Sequence, residues 1–492
     1  MIPDIYLGAA FCGCALWAAQ RRFSSRREKS FPVLAGLLLL AALVLRLLLG
    51  YNSEGFSVDM GTFKSWASTV HQVGFQEIYQ QDMFLDYPPG YLYVLRLLEI
   101  IRGTLGLAIQ GQAHTLVMKL PSIFADLACG GFLLALGRRK LGDRGALLAA
   151  AAYLFCPAVF VNSAQWGQAD SFCTMILLGS VVLLYQEKYP LSGLLYGLAV
   201  LCKPQMLVFA PLYLCFAVKR RKWLGLGLGV GCALAAILVA AAPFTHNFNY
   251  WWLVTKYQST MNYYDYFSVN ACNFWTLIGR NWQGMPQGPM GTFYTLLAPV
   301  LATAACGALM FLSKRKDAVF AAVPVLMGIV YMFAVKMHER YLFPAFLFLL
   351  IAFLFTKDKR MLRAYGFFTA ANYLNVSYVL WLFRELGGSY DPNAMPFKLI
   401  SLLQLGALAY MLWAYFQVYV RDQVFEAEPP QPKAKAAAAL APEDRKMTRL
   451  DWIAMAVVTL VYGVVAFWHL GGTVLPTTNW TPNEGESVVL HC

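Results

Sequence analysis

Apolar residues recur along this chain in runs close to the roughly 20 residues that carry a helix across about 30 Å of hydrocarbon. These runs predict helices near 3–20, 31–50, 116–137, 145–163, 171–186, 190–202, 204–218, 223–243, 290–312, 318–335, 341–356, 361–383, 397–420 and 450–470. The pair at 190–202 and 204–218 is short and interrupted by "CKPQ". A membrane β-barrel would show brief alternating segments instead. The expected fold is therefore all-α, a polytopic membrane protein with about 12–14 transmembrane helices.

Polar stretches between the runs set the topology. Lys and Arg gather at 21–29, 138–144, 219–222, 314–316, 357–363 and 421–449, with an outward and a return crossing between successive clusters. Basic loops of that kind face the cytoplasm, which puts both termini outside. The segment "YPPGYLYVLRLLEIIRG" could pass for a span, but counting it would place Arg138, Arg139 and Lys140 outside. With Arg96, Glu99 and Arg102 on it, it reads as an amphipathic helix lying at the interface.

The chain then divides into an N-terminal helix and basic loop (1–30), a first membrane module (31–243) and a second (244–420). A Pro/Ala/charge linker (421–449) and an added helix with an external tail (450–492) follow. The external segments are 51–115, 244–289 and 471–492. The aromatics of 244–289 read as packing rather than as sugar stacking.

Composition agrees: of 492 residues, 59% are hydrophobic and 13% charged, and mean hydropathy is +0.53. A net charge of +13 could suggest nucleic acid, but its distribution makes it a topology signal and removes that reading. Eleven cysteines form no disulfide or zinc spacing and mostly lie in apolar runs.

The topology sorts four charged features onto one face. "KMHERY" brings Lys336, His338, Glu339 and Arg340 to the external start of a helix. "LAVLCKPQMLVFAPL" sets Lys203 and Gln205 in a break between apolar runs. "NSAQWGQADSF" crowds Gln165, Trp166, Gln168 and Asp170 at an outer helix start. The first external segment carries Asp59 and, before a Pro-Pro turn, Asp86 and Tyr87. Each has an ordinary reading: Lys203 snorkelling, Asp170 capping its helix, Asp86 shaping the turn, and a local ion network around His338. Four together at membrane depth argue for function. Cations there suit a lipid phosphate, Arg340 in bidentate fashion and Lys203 as a point charge. A carboxylate opposite could take the proton of an attacking hydroxyl. No P-loop or dinucleotide-binding fingerprint is present, so no nucleotide is expected.

The order of "SVDMGTFKSWA", "LDYPPGYLYVL", "MKLPSIFADLACG", "NSAQWGQADSF", "LAVLCKPQMLVFAP", "YDYFSVNACNFW" and "KMHERYLFPA" resembles the GT-C superfamily of integral-membrane glycosyltransferases. Its nearest branches are bacterial homologues of the GPI-type mannosyltransferases and the dolichyl-phosphate-glucose-dependent transferases. The likeness covers about residues 31–383. It implies a GT-C fold whose large first extracytoplasmic loop carries interfacial helices, with the catalytic module at 31–243. It also implies a multi-pass bacterial cytoplasmic membrane protein with its site on the extracytoplasmic face.

Its activity would be inverting transfer of a hexose such as mannose from polyprenyl phosphate to a glycan, glycolipid or protein acceptor. Asp59 would be the base, and Lys203, Arg340, His338 and Lys336 would hold the donor phosphate. Asp86, Tyr87, Gln165, Trp166, Gln168, Asp170, Gln205 and Glu339 would position sugar or acceptor. Asp59 lacks an adjacent acidic partner, unlike some branches. A Mg²⁺ or Mn²⁺ site would have to draw on Asp59, Asp170 and His338. The rival readings are a transporter or flippase of a polyprenyl-linked or anionic substrate and a glycan polymerase using pyrophosphate-linked donors.

Overall fold

A computed structural model of the protein describes residues 30–424 and four positions between 453 and 460. The expected helix at 3–20, nearly all of the 421–449 linker, most of 450–470 and the external tail lie outside the described residues. Among the described residues the chain is helical apart from turns and one short parallel pairing, Ser268–Val269 with Met337–His338.

Among the described residues, five helical segments are long and apolar enough to cross a membrane: Phe31–Tyr51, Gln112–Leu154, Trp223–Phe244, Pro289–Leu312 and Met395–Val420. Shorter apolar helices run Asp170–Tyr185, Tyr189–Cys202, Pro204–Lys219, Ala318–Phe333 and Pro344–Thr356. Two helices that are apolar on every side have opposite fates. Pro344–Thr356 is buried along nearly its whole length and forms the centre of the bundle. Trp223–Ala241 buries only Gly229 and Ala241, the exposure of a helix facing lipid.

Two boundaries differ from expectation. The predicted helices 116–137 and 145–163 are both present, as the two arms of Gln112–Leu154 that reverse at Gly142 with φ 77°, a left-handed conformation that glycine adopts without strain. The two arms touch where Gly137 meets Ala146, whose Cα would lie 2.8 Å from any added Cβ. The second arm stops at Leu154, ahead of Pro157. A short helix, Pro157–Phe160, and a π-turn, Val161–Trp166, then lead to Gly167 at φ 92°. The predicted 204–218 helix opens as a 3-10 turn, Pro204–Phe209. Pro204 disfavours helical backbone at the residue before it, and Lys203 is extended, with φ −154° and ψ 128°.

The segment 51–115 folds as helices Ser57–Glu77 and Pro89–Thr104. The second, expected to lie at the interface, is amphipathic and is not among the segments suited to spanning. Phe63, Trp66, Tyr87 and Tyr91 pack between the two. This unit docks through Gly90, where a Cβ would meet the Leu201 carbonyl at 2.7 Å. The "DYPPG" turn is thus pressed against the end of the helix that delivers Lys203. Beneath it, Arg46 Nε donates to Asp126 Oδ2 at 2.9 Å, and Ser163 Oγ donates to the same oxygen at 2.6 Å. Both charges are fully buried, so each supplies the partner the other needs in low dielectric. Ser163 lies in the π-turn, which is thereby tied to two membrane helices.

Candidate active site

The π-turn determines where the "QWGQAD" side chains go. Extra width in a helical turn re-aims side chains, and such bulges recur at functional sites. Phe56 N donates to Trp166 O at 3.0 Å and Ser53 Oγ donates to Gln165 O at 2.9 Å, which brings the start of the Ser57–Glu77 helix against the turn. Trp166 Nε1 then donates to Asp59 Oδ2 at 2.6 Å, and Gln168 Nε2 donates to the same oxygen. Arg340 Nη2 lies 3.8 Å from it. All three contacts fall on Oδ2, so one edge of the Asp59 carboxylate is anchored and Oδ1 remains to accept a proton. Gln168 is itself fixed: Tyr87 OH donates to its Oε1 at 3.3 Å and Ser122 Oγ donates to its backbone oxygen at 2.5 Å.

Arg340 reaches this cluster from nearly three hundred residues away. The Met337–His338 strand pairs with Ser268–Val269, and Asn372 Nδ2 donates to Glu339 O at 2.7 Å. The guanidinium binds Glu339 Oε1 through Nη1 at 2.6 Å and lies 5.5 Å from the Trp166 ring centre. Among the described residues its Nε is buried without a hydrogen-bond partner, and an orphaned donor at a charged site is an opening for an anionic ligand.

Lys203 is buried and donates to Asp170 Oδ1, while Asn162 Nδ2 donates to Oδ2 at 3.2 Å. Asp170 therefore serves as the partner of a buried cation rather than as a helix cap; no side-chain capping bond is present at its helix start. The ammonium sits 5.4 Å from the Tyr341 ring centre and 5.9 Å from that of Tyr87.

The other expected site residues divide. His338 packs edge-on to Tyr264. Burial, with the charges of Arg340 and Lys203 nearby, holds its imidazole well below the usual range, so it is neutral near pH 7 and offers a hydrogen bond rather than a charge. Lys336 turns away to Met261 O at 3.1 Å and Asp265 at 3.3 Å. Gln205 lies beside Lys203 in sequence with a buried, unpartnered Oε1. Gln165 contributes its backbone carbonyl.

Among the described residues no three His, Cys, Asp or Glu side chains gather as a metal would need. Asp59 and Asp170 are both taken by nitrogen donors. The chemistry proposed below routes no step through a metal ion.

Asp86 stands apart from that network. Burial and the Asp59 charge push its carboxyl up to about 6, against the pull of Lys256 and Arg340. The fold thus favours the acid form. That contribution is complete below about 3.8, the ordinary value, and is lost as pH rises through about 6. Asp86→Asn should therefore raise the thermal midpoint at about pH 7.5 and leave it unchanged near pH 4, a difference read by melting purified protein at both pH values.

Several site residues were not singled out from sequence. Asn162 and Asn372 orient Asp170 and the Glu339 backbone. Asn162 opens the "NSAQWGQADSF" stretch and could have been found there. Asn372 lies in a helix whose sequence gives no sign of what it faces.

Comparison with known proteins bears on this constellation. The family described as dolichyl-phosphate-mannose-protein mannosyltransferase matches residues 86–246. The dolichyl pyrophosphate Glc1Man9GlcNAc2 alpha-1,3-glucosyltransferase of Saccharomyces cerevisiae is 26% identical over 195 residues, which cover 37% of this chain and 33% of the relative. The chain thus matches about a third of that relative's length. These likenesses to sugar-transferring proteins accord with the ordered motifs and the all-helical membrane architecture.

Proposed function

We propose that this protein transfers a hexose such as mannose from a polyprenyl-phosphate donor to a hydroxyl outside the membrane, with inversion at the anomeric carbon. The observation that carries this reading is the Asp59 carboxylate, anchored on one oxygen by Trp166 and Gln168 beside the Arg340 guanidinium. In one step the acceptor oxygen bonds to the anomeric carbon, the bond from that carbon to the phosphate oxygen breaks, and polyprenyl phosphate leaves with the electron pair. Asp59 Oδ1 takes the hydroxyl proton. Arg340, with its unpaired Nε, meets the charge that grows on the phosphate, and such preorganised donors supply much of a transfer enzyme's rate. Lys203 adds positive potential while bound to Asp170. His338 donates a hydrogen bond. Lys336 stands at the rim, held by Asp265. Asp86, Tyr87, Gln165, Trp166, Gln168, Asp170, Gln205 and Glu339 shape the sugar and acceptor positions.

Two sources of support point to different sugars: the matched family is named for mannose, and the yeast relative for glucose. Purified protein offered polyprenyl-phosphate mannose and polyprenyl-phosphate glucose in parallel should release polyprenyl phosphate from one of them, with mannose expected. Movement of either lipid across a vesicle membrane with no release would instead select the flippase reading.

A further inference from the structure

Outside the Asp59 cluster, residues of 51–115 and 244–289 line a half-open cavity of about 420 Å³, within the range of small-molecule sites. Its aromatic wall is Tyr79 and Trp252, with ring centres 4.8 Å apart. Its polar wall is Gln80, His246, Asn249, Thr255 and Ser259, and both ring nitrogens of His246 are engaged by Gln76. Among the described residues no carboxylate lines it. Its lysine, Lys256, is already engaged: the ammonium donates to Leu85 O, one residue before Asp86. Thr260 Oγ1 also donates to Asp86 O at 2.8 Å, and Tyr79 OH to Tyr87 O at 2.9 Å. The cavity is thus built onto the back of the "DYPP" turn, whose front faces the Asp59 cluster through Tyr87 and Gln168.

The polar groups have capacity to spare. Asn249 Oδ1 accepts from Trp251 N at 3.0 Å, which leaves its amide NH₂. Thr255 and Ser259 hydroxyls donate to backbone oxygens at 2.8 and 2.9 Å, which leaves their lone pairs. A half-buried aromatic wall facing neutral amides and hydroxyls suits a ligand with one C–H face and many hydroxyls. An anion would need more than a committed lysine and an imidazole already held by Gln76, and a prenyl chain would leave the polar wall unmatched.

We propose that this cavity binds a neutral sugar unit of the acceptor, so that the acceptor is a glycan or glycolipid whose attacking hydroxyl reaches Asp59 past the "DYPP" turn. The inference rests on the transfer reading above. It is tested by saturation-transfer NMR on the full chain in lipid nanodiscs, with no donor present and with methyl α-mannoside, methyl glucoside, methyl galactoside and methyl N-acetylglucosaminide as probes. At least one probe should receive saturation from the wild-type protein. Thr255→Trp and Ser259→Trp, each filling the cavity from an exposed position, should cut that signal by about fivefold or more.

Absence of transfer to all four probes, or an undiminished signal in both folded variants, overturns the site. Failure of the transfer reading is visible separately. Sugar binding in a protein that never releases polyprenyl phosphate removes the enzyme and keeps the site. Donor turnover with an acceptor KM unchanged in both variants keeps the enzyme and removes the site.

Discussion

Asp59→Asn should reduce sugar transfer by about a thousandfold while donor-lipid binding stays within a small factor of wild type. Position-matched acid–base groups contribute on the order of 10²–10⁴ in rate. Asparagine keeps the shape and can still meet Trp166 and Gln168 on one side, but its amide cannot take the acceptor's proton. Arg340, not Asp59, is the group aimed at the phosphate, so the donor should dissociate from the variant at a near-normal concentration. The measurement is kcat for polyprenyl-phosphate release beside a direct lipid-binding titration. A loss of binding equal to the loss of rate would reassign Asp59 from proton acceptor to donor anchor.

The second large effect is expected at Lys203. Lys203→Met leaves the Asp170 carboxylate buried with only Asn162, and breaking a buried pair from one side costs about 3–5 kcal/mol. The variant should melt well below wild type and show little transfer. That result alone cannot separate a structural pin from a donor-binding cation, so the companion double variant carries the decision. Lys203→Met with Asp170→Asn removes both charges and should recover most of the thermal midpoint. Transfer should remain at least about tenfold low, because the positive potential at the phosphate is gone. Full recovery of transfer in the double variant would make the pair structural and leave Arg340 as the cation that acts on the donor.

These predictions draw on what was legible in the chain and on what was not. The apolar runs and the order of the charged motifs could be read because spanning helices and basic loops obey simple rules. Three of those motifs are joined by bonds from Trp166, Gln168 and Arg340 onto Asp59. The break at Lys203 was legible too, since proline constrains the residue before it.

The partners inside the bundle were hidden. Nothing along the sequence says that Lys203 answers Asp170, or that Arg46 answers Asp126 across eighty residues, because helix rotation decides which polar residues meet. The π-turn was also invisible: its sequence reads as more helix, and the helix is halted by Pro157 and Gly167. Lys336 shows that nearness in sequence does not fix direction. It lies beside His338 and Arg340 in sequence, yet a left-handed backbone at φ 62° sends it toward Asp265.

The most direct trial of the central claim is a structure of the Asp59→Asn protein with unreacted polyprenyl-phosphate sugar bound. The account predicts the phosphate against Arg340 and the anomeric carbon facing residue 59 from the outer side of the membrane. A sugar seated beyond reach of residue 59, or a phosphate that does not touch Arg340, would contradict it.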